Sequence, residues 1–352
     1  MTGSNIVQYR LHNQQISQHA FETPADLVRW LGAVQAQDYA ASKWAIGLRM
    51  RGATDANIEK AICDRTIIRT WALRGTLHFI EASDVRWILK LIGPRLISIY
   101  GSHFRKFELD KIVIGKSQKV IVRGLQGGKQ LTRIEIKAAL EKKGISTKDL
   151  RANFILLRAA LDGVICLGPR RGKEFTFVLL DEWFSATKNL DRDEALAELA
   201  RRYFSSHGPA TLQDFAWWSG LTITDAKKGL EIVRSDFVQE SIKSQTYWMP
   251  PQSAALKSKS KSVFLLPNFD EYLVAYKDRT AATDERYFKQ IMKSGNGIFS
   301  PVIVINGRIA GVWKRSLSEK KVVIQTNLFT PLNEPLKAAV AAASRRYVRF
   351  LQ

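Results

Sequence analysis

At 352 residues, with 45% hydrophobic and 25% charged residues, the chain is long enough for two or three globular domains, each burying its own core. Lys and Arg number 54 against 33 Asp and Glu, and the net charge of +21 sets up a field that attracts a polyanion, of which nucleic acid is the commonest. No apolar run reaches the roughly 18 residues of a membrane span, no basic amphipathic helix dominates, and the N-terminus MTGSNIVQYRLHNQQ lacks the layout of a secretory leader. The expectation is a cytoplasmic, nucleoid-associated protein with no membrane partner.

Pro24 to Val34 reads as a helix, with Thr23 as its N-cap and Pro24 at the first helical position. Ser42 to Met50 is a second helix and Asp55 to Cys63 a third, with Thr54 as its cap. Between the first two, Gln35-Ala36-Gln37-Asp38-Tyr39 interrupts two core-forming segments with polar side chains. On a regular helix residues two apart point nearly opposite ways, whereas an extended or looped backbone can bring them to one place. The competing reading is a solvated connection whose glutamines face water. IIRTWAL and TLHFIEA, rich in β-branched and aromatic residues, flank Arg74-Gly75 and read as a hairpin. Asp84 to Tyr100 follows as an amphipathic helix with Pro94 as an expected kink or break.

The layout recurs. Lys116 to Leu125, Thr132 to Lys143 and Leu150 to Leu161 are helices, followed by strands around the basic tip Arg170-Arg171-Gly172-Lys173. It recurs once more with Asp193 to Ser205, Thr211 to Trp218, Thr224 to Val233 and the strand-like SIKSQTYWM. Three helices followed by a two-stranded ribbon make a winged helix, a relative of the helix-turn-helix. After the basic Lys257-Ser-Lys-Ser-Lys261 stretch, PVIVI and RIAGVW joined by Asn306-Gly307 form a hairpin of type I′, KKVVIQTNLF adds a strand, and Glu334 to Leu351 closes with a helix. The expected class is therefore α+β: tandem winged-helix repeats and a small β-rich C-terminal unit with a closing helix. The expected division is residues 1–105, 106–187, 188–256 and 257–352. Cys63 and Cys166, the only two cysteines, each sit in an apolar pattern and are expected as buried thiols. The five histidines lack ligand spacing, so no metal and no cofactor are expected.

VQAQD, TWALRGTLHF, LLPNFDEYLVAYKDR and GIFSPVIVINGRIAGVW, spread over nearly the whole chain, together resemble the AlkZ/AlkX family of DNA glycosylases, built on tandem winged helices. That family carries Gln-Φ-Gln in its AlkZ branch and Gln-Φ-Asp in its AlkX branch, Φ being aliphatic. Gln35-Ala36-Gln37 matches the first form. The resemblance implies that Gln35 and Gln37 lie in an active site that excises alkylated purines, some cross-link or bulky adducts included, from double-stranded DNA with no obligate protein partner.

A purine alkylated at N7 or N3 is cationic and already a good leaving group, so its enzyme needs a positioned water rather than a strong general acid. Two neutral amides, each with a carbonyl acceptor and two N–H donors, suit that task. Asp38 is the nearest ionisable candidate to support them, with a helix-capping role as its alternative. His78, set opposite Leu77 and Phe79 on a strand, is a candidate for phosphate or lesion contact or else a satisfied strand histidine. Asp270 either orients the site or pairs with Arg279. For grip on the duplex the candidates are Arg74, Arg170, Arg171 and Lys173 at hairpin tips, with Lys257, Lys259 and Lys261. Trp44, Trp71, Trp217 and Trp218 fall in apolar patterns and are expected in the core. The alternative of a different class is a non-catalytic tandem winged-helix regulator, against which Asp55 and Glu59 on the third helix of the first repeat would meet phosphates badly. A small-molecule hydrolase has no Gly-x-Ser-x-Gly, P-loop or metal spacing behind it.

Overall fold

The structure, a computed structural model, describes residues 3–184, 188–242, 244–251, 262–293, 298–318 and 321–352. Lys257, Lys259 and Lys261 lie outside the described residues. Helices and hairpins alternate along the chain much as the patterning predicts. Pro24–Leu31, Tyr39–Gly47 and Asp55–Cys63 precede a hairpin of Ile67–Trp71 and Leu77–Glu81. Lys111–Leu125, Arg133–Glu141 and Arg151–Leu161 precede one of Ile165–Arg171 and Glu174–Leu179. Arg192–His207, Leu212–Ser219 and Ile223–Ile232 precede a third, of Val238–Ile242 and Gln245–Met249. The chain groups into two compact units, Met1–Glu59 with Leu196–Gln352, and Lys60–Ala195.

In the first unit, the local chemistry around the Gln-Ala-Gln segment decides its shape. The Thr23 side chain accepts from the Asp26 amide to open the helix Pro24–Leu31. That helix stops before Val34 because Gly32 takes φ 80, a conformation open to a residue without Cβ, and a Cβ there would also come 3.1 Å from the Trp218 ring. The chain then runs extended through Val34–Gln35. Asp38 caps the next helix through the Ala41 amide, so that helix starts at Tyr39 rather than Ser42. It ends at Gly47 rather than Met50, where Phe350 packs so closely that a Cβ would sit 2.3 Å from its ring.

A further helix, Gly3–Asn13, carries no apolar stripe, and the patterning does not predict it. Part of its buried face is polar and is satisfied at long range: Arg10 Nε donates to the Pro209 carbonyl at 3.0 Å, and Asn13 Nδ2 to Gly208 at 2.7 Å. The C-terminal portion is a four-stranded antiparallel sheet in the order Lys321–Leu328, Arg308–Ser318, Val302–Ile305, Val263–Leu266. Asn306 and Gly307 both have positive φ, 51 and 82, as a type I′ turn requires. The helix Glu334–Phe350 packs on the strand Val263–Leu266, and Tyr347 sets its ring 5.1 Å from Trp44 and 5.0 Å from Trp313.

In the second unit, the two hairpins do not stand apart. Arg69 pairs with Leu167, which joins them into one antiparallel sheet, whose strands within this unit run in the order Leu77–Glu81, Ile67–Trp71, Ile165–Arg171, Glu174–Leu179, Leu131–Thr132. Ile121, Leu125, Leu140, Leu156 and Phe177 form the centre of its core. Pro94 does not break its helix, which runs unbroken as Val85–Ile99. Two further expectations are corrected. Cys63 is exposed, because it is the last residue of Asp55–Cys63 and faces away from Ala61 and Ile62, and only Cys166 is buried. Trp217 is 44% exposed, while its neighbour Trp218, about 100° further round the helix, is fully buried.

Candidate active site

The Gln-Ala-Gln segment is held by a buried acid that sequence reasoning passed over. The backbone N–H of Gln35 donates to Glu271 Oε1 at 2.7 Å. The second oxygen, Oε2, accepts from Trp218 Nε1 at 3.0 Å and lies 3.7 Å from His207 Nε2. Gln35 is only 8% exposed, whereas Gln37, two residues on along the opened backbone, is exposed. Asp38 divides its oxygens between the cap, at 3.1 Å from the Ala41 amide, and Asn268 Nδ2, also at 3.1 Å.

Asp270 does not pair with Arg279. It takes a bidentate bond from Arg49, 2.9 Å from Nη1 and 2.8 Å from Nη2, and accepts from the Tyr272 amide at 2.9 Å. Arg279 instead donates Nε to the Leu273 carbonyl at 2.9 Å and lies over the Phe299 ring, 5.0 Å from its centroid. Consecutive buried acids require an unusual backbone, and Phe269 supplies it with φ 58, a left-handed conformation costly for a bulky side chain. The turn it makes lets Asp270 cap the short helix Glu271–Val274 while Glu271 begins it, so both carboxylates point inward.

The remaining candidates fall elsewhere. His78 is fully buried in the sheet of the second unit, its Nδ1 2.9 Å from the Thr76 carbonyl. Arg74, with φ 57 in the first hairpin turn, is half-buried. Arg170, Arg171 and Lys173 lie at the second hairpin tip, with Arg171 and Lys173 exposed, Arg170 at its exposed end, and Arg171 bonded to Glu135. Lys43, also missed, is buried and donates to Asp55 at 2.6 Å and Glu59 at 2.8 Å, with Tyr39 Oη donating to Glu59 at 2.7 Å. Those two acids thus fasten neighbouring helices. A cleft of about 1040 Å³ in the first unit has Lys227, Arg234, Lys277 and Arg279 against Asp214, Glu231, Asp278 and Glu285, and none of the candidate site residues among the described ones lines it. The signal for Glu271 was weak: acids are seldom fully buried unless paired, and the apolar run LLPNFDEYLVAY around Asp270 and Glu271 is the only hint that these two are.

The profile of the DNA glycosylase AlkZ-like family matches residues 28–350, which takes in the Gln-Ala-Gln segment and the acids behind it. The chain belongs to that family. As a member it is an enzyme, a DNA glycosylase, and not the non-catalytic regulator that the fold class alone favours. This glycosylase is 27% identical over 357 residues, 97% of its own length and 93% of the relative's, to the interstrand DNA cross-link repair glycosylase of Streptomyces sahachiroi. The solved structure of the Streptomyces sahachiroi DNA glycosylase AlkZ superimposes with a TM-score of 0.84 over 99% of this chain and 96% of that one; at 23% identity the likeness is one of fold.

Two expectations about stability follow from the buried groups. Asp270→Asn leaves the Arg49 guanidinium, 1% exposed, without its counter-charge. Loss of roughly 3–5 kcal/mol is expected, read from urea unfolding. Burial, helped by the Arg49 charge, holds His207 below the ordinary 6.5 despite the pull of Glu271. The unfolded chain therefore takes up a proton that the folded one refuses. Stability is full above pH 6.5 and declines as pH falls from there toward the lowered folded value. His207→Gln should flatten the fall of Tm with acid, in part only, because burial lowers His12 and His19 as well.

Proposed function

We propose that this glycosylase hydrolyses the N-glycosidic bond of purines made cationic by alkylation at N7 or N3, bulky and cross-link adducts included, by direct attack of water. The observation that carries the reading is the Gln35-Ala36-Gln37 segment, opened between a helix closed by Gly32 and one capped by Asp38, and anchored through its backbone to Glu271. Gln35 and Gln37 hold the water and aim it at the anomeric carbon; their amides supply acceptors and donors but cannot act as bases at neutral pH. The leaving base carries its own positive charge, so no general acid is required. An enzyme so equipped discriminates against uncharged purines because it offers them no proton. Asp38, fixed next to Gln37, supplies negative potential toward the oxocarbenium-like sugar.

The three runs of helices and hairpin are read as tandem winged helices that hold double-stranded DNA without a second protein, in the cytoplasm at the nucleoid. The tip residues Arg170, Arg171 and Lys173 contact phosphates, which fixes register without reading sequence. The relative from Streptomyces sahachiroi, described as a cross-link repair glycosylase, supports extending the substrates to cross-link adducts.

Incubation with duplex carrying N7-methylguanine should release the free modified base and leave abasic sites. Gln35→Ala and Gln37→Ala should each slow release by roughly 10²-fold, the usual scale for a misplaced reactant, with duplex affinity nearly unchanged. A parallel loss of affinity would make both residues structural. Duplex affinity should also fall steeply with salt. Arg170→Ala combined with Lys173→Ala should reduce the slope of log K against log salt by about 2, one for each phosphate no longer neutralised.

A further inference from the structure

Glu271 places a carboxyl group in the interior of the first unit. It is fully buried, and the bidentate guanidinium of Arg49 is taken up by Asp270 rather than by it. The His207 Nε2 atom lies 3.7 Å away, beyond hydrogen-bond reach, and burial keeps that ring's affinity for a proton low. Burying a carboxyl group is costly, so an acid placed here points to a task. The hydrogen bonds at its two oxygens say what the task is. One oxygen takes the Gln35 backbone N–H and the other takes the Trp218 indole N–H.

We infer that Glu271 is a positioning residue for the reaction, fixing the backbone of Gln35 so that the two amides of the Gln-Ala-Gln segment are held in the geometry that orients the water. This rests on the role proposed above for Gln35 and Gln37. Gly32, three residues earlier, is the most permissive residue available and leaves the direction of the chain beyond it open. A bond from the Gln35 N–H to a rigid acceptor removes that freedom. The acceptor is rigid because Asp270, the preceding residue, is locked to Arg49 and caps the same short helix. Trp218 holds the second oxygen and so sets the rotation of the carboxylate about its last bond. The arrangement needs an acceptor at both oxygens, and only a carboxylate offers two.

Glu271→Gln tests this with almost no change in volume. The amide presents one acceptor, and its NH₂ group then faces one of the two N–H donors. Single-turnover release of N7-methylguanine from duplex should slow by about 10–100-fold, with duplex affinity and the far-UV spectrum unchanged. Trp218→Phe removes the competing donor, so the double variant Glu271→Gln/Trp218→Phe lets the amide oxygen turn to Gln35. It should release base faster than Glu271→Gln alone, while Trp218→Phe alone, which frees the carboxylate to rotate, should slow release by a smaller factor than Glu271→Gln does. A structural role predicts the opposite, losses that add. Additive losses, or an undiminished rate in Glu271→Gln, overturn the inference. Amide exchange in the unaltered protein requires no variant: Gln35 should exchange slowly, and fast exchange at Gln35 overturns it too. Gln35→Ala and Gln37→Ala, run alongside, separate the two levels. If those variants keep full rate, the water-positioning role itself falls. If they lose rate while Glu271→Gln does not, only the role of Glu271 falls.

Discussion

The first unit is organised around two adjacent carboxylates that water does not reach. Asp270 is bonded to Arg49 and Glu271 to Gln35 and Trp218, so a single dipeptide ties the end of the helix Tyr39–Gly47, the loop before it and the helix Leu212–Ser219 to one point. Neighbouring groups reinforce it. Trp44 and Trp313 donate their indole N–H groups to Leu265 and Leu266 on the strand leading in, at 2.8 Å each, and Tyr272 Oη donates to Gly307 at 2.6 Å. Buried polar networks of this kind rigidify when every member is satisfied and are costly when one is not, which makes the segment Val263–Tyr276 an all-or-none element of the unit.

Rigidity of that sort suits the chemistry. On the proposed mechanism the site has no strong acid or base with which to lower a barrier; it works by holding water and sugar in register, and small displacements then matter most. The Gln35 contact with Glu271 is made through the backbone N–H and does not engage the side-chain amide. At the basic hairpin tip, Arg170 lies near the end of a strand and Lys173 in the turn, while inner residues of the two strands, Cys166, Phe177 and Val178, are buried.

Much of this was readable in the linear pattern. Thr23, Asp38, Thr132 and Thr211 cap helices with their own side chains, Gly220 closes one of them with positive φ, and Asn306-Gly307 makes the turn its residue types demand. These are short-range preferences, settled within three or four residues, and so they survive any tertiary context. Where expectation and structure part, a distant partner has intervened. Arg10 and Asn13 bury polar atoms in a helix that has no apolar stripe because residues some 200 positions away satisfy them.

The sequence by itself determined that helices and hairpins would alternate three times, that the chain would be strongly basic, and that Gln35 and Gln37 would fall at an opening between two helices, since all of these follow from periodicity, composition and local caps. Tertiary structure alone decided that Glu271, and not the aspartate beside it, would grasp the Gln35 backbone, that Asp270 would find Arg49, and that the first two hairpins would merge into one sheet. Those bonds join residues as far as 236 positions apart. No local preference specifies which of many carboxylates a given N–H will meet; that choice is made only when the burial of apolar surface brings the segments together and leaves each buried polar group to find a partner.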